Sequence, residues 1–150
     1  MYVSGHLPFL QDGTLMTGKI TGDDDDDNNG ANGNTNVEHG YKAARQAALN
    51  IISTLSDRLD GDLDRIEQIQ KVFGIVQSSD GFKHQHLVMD GASDLFMEVF
   101  GDKVGYHARS AIGANTLPLD ITVEIECIVK LKPSPSFESS SSPLAPELCR

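Results

Sequence analysis

HARSAIGANTLPLDITVEIECIVKL, residues 107–131, reads as two strands joined by a turn at Leu117-Pro118, with a bulge expected at Gly113. In the second strand Ile121, Val123, Ile125, Cys127, Val129 and Leu131 point one way, while Thr122, Glu124, Glu126, Ile128 and Lys130 point the other. Cys127 falls in the apolar set and is expected to be a small core hydrophobe rather than a nucleophile. Glu124 and Glu126 share a face, which fits either a solvated strand edge or one carboxylate standing with Arg109 at the mouth of a cleft. The planar fork of Arg109 is suited to gripping a carboxylate ligand through two parallel hydrogen bonds. An internal ion pair between Arg109 and a glutamate fits the spacing equally well.

Upstream, Ala92, Leu95, Phe96, Val99 and Phe100 recur at helical spacing, with Asp90 or Ser93 able to cap the start and Gly101 the end. IQKVFGIV, residues 69–76, reads as a largely buried strand with Ile69, Phe73 and Ile75 on one face. Ala44, Ala47, Ala48, Ile51, Ile52, Leu55 and Leu59 predict an amphipathic helix of about five turns, ended near Gly61. At the start, Tyr2 to Phe9 and Leu15 to Ile20 predict two strands of a hairpin across Gln11–Gly13. The order is β-β-α-β-α-β-β, an α+β pattern with two helices on one face of a sheet. That leaves the other face uncovered and predicts self-association through it.

GDDDDDNNGANGNTN, residues 22–36, has almost nothing to bury and predicts a disordered loop; a run of Asp lacks the fixed turn that a calcium loop needs. The Ser/Pro-rich tail, residues 133–150, predicts no structure. One domain over residues 1–132 remains. The 150 residues hold 12 Lys and Arg against 22 Asp and Glu, a net charge of -10, half of it in the run Asp23–Asp27. This balance opposes binding to a phosphate backbone. Two cysteines supply no disulfide framework, so a reducing compartment fits. Neither a secretory leader nor an 18-residue apolar run is present in the 150 residues, and a cytoplasmic protein with no membrane partner is expected.

The five histidines offer weak metal signals. His84 and His86 would lie on one face of a strand, but no third ligand stands at fixed spacing, so no metal is expected. His107, two residues before Arg109, is better placed to line a cleft. Ser110 has no evident His and Asp partners for serine hydrolase chemistry.

YVSGHLP (2–8), GASDLFMEVFGDKVGYHARSAIG (91–113) and LPLDITVEIECIVKL (117–131) resemble the RidA family, the YjgF-type reactive intermediate deaminases also labelled endoribonuclease L-PSP. The ARS, LP and VEIE elements carry the likeness, and the GASDLF and HARSAIG wording resembles a divergent branch. The resemblance implies a chorismate-mutase-like fold, a homotrimer with clefts between subunits, and no metal or organic cofactor. It implies that Arg109 binds the carboxylate of a small 2-imino or 2-amino acid and that Glu124 handles water. Ser4-Gly5 matches a turn that shapes the cleft, with His6 where the family has glutamine. Ala111 stands where the archetypal deaminases have cysteine, and Ser93 where they have a ligand-contacting asparagine. Met1 falls inside the matched first strand, so a preceding segment that includes a tyrosine near the ligand is expected to be missing. The activity implied is hydrolysis of reactive 2-imino acids to 2-oxo acids and ammonia. The alternatives are a non-catalytic trimer binding a small carboxylate or a partner and, least favoured by the acidic charge, an endoribonuclease or translation inhibitor.

Overall fold

Two helices lie side by side across a four-stranded mixed sheet in the computed structural model, which describes residues 1–21 and 34–133. The elements run β1 (Tyr2–His6), β2 (Lys19–Ile20), β3 (Asn34–Thr35), α1 (Val37–Arg58), β4 (Ile66–Gln77), α2 (Gln85–Gly105), β5 (Ala108–Ala114) and β6 (Val123–Leu131). The sheet order is β1-β6-β4-β5, with β6 antiparallel to both neighbours and β4 parallel to β5. A parallel pair needs a long crossover, and α2 supplies it between β4 and β5. The strands expected to be joined by a turn at Leu117-Pro118 are therefore not neighbours, because β4 lies between them.

The apolar stripe of α1 forms as its spacing dictates: Ala43, Ala44, Ala47, Ala48, Ile51 and Leu55 are fully buried. The Asn36 side chain accepts from the His39 N–H and caps the helix, so residues 34–36 belong to ordered structure rather than to the predicted loop. Residues 22–33 and 134–150, where the rest of that loop and the tail were expected, lie outside the described residues. Tight contact between the helices depends on Gly91, since a Cβ there would come within 2.1 Å of the Tyr41 carbonyl oxygen.

Several boundaries depart from the pattern-based reading. The two predicted N-terminal strands do not form a hairpin of the main sheet. A single bridge joins Phe9 to Leu15 across the turn, β1 pairs with β6, and the short β2 pairs in parallel with β3. Helix α2 begins at Gln85, so Asp90 and Ser93 lie inside it rather than capping it; it breaks at Gly101, whose φ is 70°. In β4 two register shifts against β6, near Glu67 and Gln70, add a residue each. They turn Ile69 to the same side as Val72 and Val76, away from Phe73 and Ile75, which simple alternation had grouped it with. No shift interrupts the β4–β5 register, so Gly113 marks no bulge.

Val72, Val76, Val123, Ile125, Cys127 and Val129 pack with the helices in one core, each such side chain contributing about 1.5–3 kcal/mol when fully buried. The opposite sheet face carries Phe73, Ile75, Ile128 and Ile112 with Lys71, Glu124 and Glu126. No helix covers it among the described residues.

Candidate active site

The parallel register sets Arg109 beside Val72, whose side chain faces the helices, so the guanidinium projects from the edge strand β5 toward α2. There Asp90, Ser93 and Met97, three and four residues apart, form one helical face. Arg109 Nη1 donates to Asp90 Oδ1 at 2.9 Å and to Ser93 Oγ at 3.0 Å. The ion pair is half-buried, with 23% of the arginine side chain and 43% of the aspartate exposed. Among the described residues, Nε and Nη2 have no hydrogen-bond partner, which leaves one bidentate edge of the fork for a ligand. Arg109, Ser93, Met97, Tyr106 and His107 line a cavity of about 330 Å³.

His107 completes the cluster. Its Nδ1 donates to the Gly105 carbonyl at 2.6 Å, which makes Nε2 the acceptor for the Ser93 hydroxyl at 3.0 Å. Burial, and secondarily the charge of Arg109, hold the imidazole below its ordinary value of 6.5, so it is neutral at physiological pH. The Phe96 ring meets it edge-on at 5.8 Å. Ala111, on the same side of β5 as Arg109, packs against the core with no polar group to offer.

Glu124 stands elsewhere. It lies on β6 opposite Ile75, on the outer sheet face and separated from β5 by β4. Its carboxylate passes over Gly5, where a Cβ would sit 1.8 Å from Oε1, at the one-residue bulge that Ser4-Gly5 makes in β1. Ser4, Gly5 and Glu124 thus form one group, and Arg109, Ser93, His107 and Ala111 another. A single chain does not bring the two together. β6 is an interior strand, so neither glutamate sits on a sheet edge.

The remaining candidates have structural partners. His6 bonds the Ser4 carbonyl and Thr54 Oγ1, and His39 bonds the Thr17 carbonyl. His84 and His86 sit at the start of α2 rather than on a strand. The described residues contain no group of three His, Cys, Asp or Glu able to hold a metal. Cys127 is buried, and desolvation pushes its thiol up to about 12, as befits a core residue. No helix of the described residues is long and apolar enough to cross a membrane. Sequence reasoning missed Asp90, Met97 and Tyr106 as members of the site. Asp90 and Met97 stand at helical spacing from Ser93, but the pairing of Asp90 with Arg109 depends on the crossover.

The family described as "YjgF/chorismate_mutase-like, putative endoribonuclease" matches residues 1–131. The chain belongs to this YjgF/RidA-like family. Protein TCP17 of Trypanosoma cruzi is 40% identical over 131 residues, 87% of this chain and 74% of its own length. Among solved structures, Atu1372 from Agrobacterium tumefaciens, a protein of unknown function, is 37% identical with a TM-score of 0.75, covering 87% of this chain and 75% of that one. A "putative endoribonuclease" from Shewanella oneidensis is 32% identical with a TM-score of 0.72, covering 87% and 78%. The four-stranded mixed sheet with two helices is the chorismate-mutase-like fold of the YjgF/RidA-like family.

Proposed function

We propose that the protein is an enamine/imine deaminase that hydrolyses small 2-imino acids to 2-oxo acids and ammonia. The observation that carries this reading is the bidentate edge of Arg109, with no partner among the described residues, on a guanidinium whose Nη1 is already fixed by Asp90 and Ser93 at the wall of a cavity. A substrate carboxylate on Nε and Nη2 would meet a fork that needs no reorientation, a charge-assisted contact of about 1.5–3 kcal/mol.

Water adds to C2 of the bound imine while a base takes its proton, and the nitrogen leaves as ammonia once protonated. Glu124 is the base in this scheme. Because Arg109 and Glu124 lie on opposite faces of one sheet, the reading requires assembly. In a homotrimer, Glu124 of the partner subunit, carried with the Ser4-Gly5 bulge, closes the cavity over Arg109. The uncovered outer face, with Tyr2 86% and Ile112 46% exposed, is the surface such an assembly would bury. Placement of one acid-base group is worth about 10²–10⁴-fold, enough for an imine that already hydrolyses unaided.

Ala111 and the Asp90 ion pair favour a second reading, a trimer that binds a small carboxylate without turnover, because Asp90 offsets the charge of Arg109 and Ala111 adds no reactive group. The acidic balance, -10 over the chain, weighs against nucleic acid.

The test follows 2-iminopropanoate, generated in place by an amino-acid oxidase and trapped by semicarbazide. Faster decay with the wild type, reduced about 10- to 150-fold in Arg109→Ala, supports the deaminase. No acceleration by folded protein that still binds pyruvate leaves the binding reading.

A further inference from the structure

Ser93, His107 and the Gly105 carbonyl form a chain of hydrogen bonds whose order is that of a nucleophile, its base and the group that orients the base. Fixing Nδ1 on the carbonyl at 2.6 Å leaves Nε2 to accept only from Ser93 Oγ, at 3.0 Å. Arg109 Nη1 donates to the same Oγ at 3.0 Å, so negative charge developing there faces a cation. Ser93, His107 and Arg109 could satisfy one another without further purpose. All three are only partly buried, however, and they line an open cavity, which is where a nucleophile must stand.

We propose that Ser93 is a nucleophile with His107 as its proton acceptor, and that the cavity hydrolyses activated esters of short dicarboxylic acids through an acyl-Ser93 intermediate. The free carboxylate of such an ester takes the Nε/Nη2 edge of Arg109, and the acyl carbon lies toward Ser93, which touches Nη1 of the same side chain. Ser93 Oγ attacks the acyl carbon as its proton passes to His107 Nε2. The bond to the leaving oxygen breaks, and the imidazolium protonates that oxygen. Water then attacks the acyl-Ser93 ester, its proton passing to His107 and on to Ser93 Oγ, releasing the dicarboxylate. Neutral His107 is in the state this requires. This activity does not depend on imine hydrolysis or on Glu124.

The experiment treats the full chain with succinic acid mono-4-nitrophenyl ester and with 4-nitrophenyl acetate, following nitrophenolate release and the intact mass. The expected result is a burst with the succinyl ester, one succinyl group per chain mapped to Ser93, and a rate at least about 100-fold lower in Ser93→Ala and His107→Gln. Ser93→Cys retains labelling at position 93, which separates a lost nucleophile from a lost fold. Arg109→Ala removes the preference for the succinyl ester over the acetate. Absence of a burst from folded wild type, or label on another residue that persists in Ser93→Ala, overturns the proposal. Because no imine is used, either result is independent of the deaminase test.

Discussion

Gly5 sits beneath the carboxylate of Glu124, and the crowding there is local: the atom an alanine methyl would strike is the far end of a flexible side chain. Gly5→Ala is therefore expected to leave the melting temperature nearly unchanged while moving Glu124 enough to cost about 100-fold in imine turnover, a split read by calorimetry beside the decay assay. His107 makes an opposite kind of prediction, one about stability. Its folded-state value is lowered, so its neutral form favours folding; the contribution is complete above 6.5 and is lost as pH falls below it. Urea midpoints measured between about pH 5 and 7.5 should fall on the acid side, and His107→Gln should flatten that part of the profile. At this scale the sequence offered Arg109, Glu124, Ser93 and the Ser4-Gly5 pair as candidates, because motifs carry them. It could not disclose Asp90, since an ion pair spanning 19 residues exists only once α2 returns β5 to the sheet.

The α1–α2 contact is the element most sensitive to a single atom. Gly91→Ala would force a methyl against the backbone oxygen of Tyr41, which cannot swing aside, and is expected to cost about 1–3 kcal/mol in chemical denaturation. Helix α1 was legible because its buried residues keep helical spacing throughout, and β6 because its alternation is unbroken. Strand β4 was less so: two added residues break the period-2 pattern that assigns faces. The first turns of α2 were hidden by His86, Asp90 and Gly91, residues with weak helical preference, and the buried Val88, Met89 and Gly91 hold this part of the helix by packing. Two-residue strands such as β2 and β3 have no pattern to detect.

For the whole molecule, the division of the candidate site into an Arg109 group facing the helices and a Glu124 group on the outer face means that a site using both residues has to be assembled from more than one chain. Sequence spacing placed both residues in adjacent stretches but was blind to the sheet order that puts β4 between them. If copies supply the two halves to each other, Arg109→Ala and Glu124→Gln damage different halves and can rescue one another. The decisive measurement is imine turnover after the two inactive variants are unfolded together in equal amounts and refolded. Random trimers then contain intact Arg109–Glu124 pairs at about one site in four, so about a quarter of wild-type activity should return. Refolded mixed trimers with no activity above either parent would contradict a site shared between subunits.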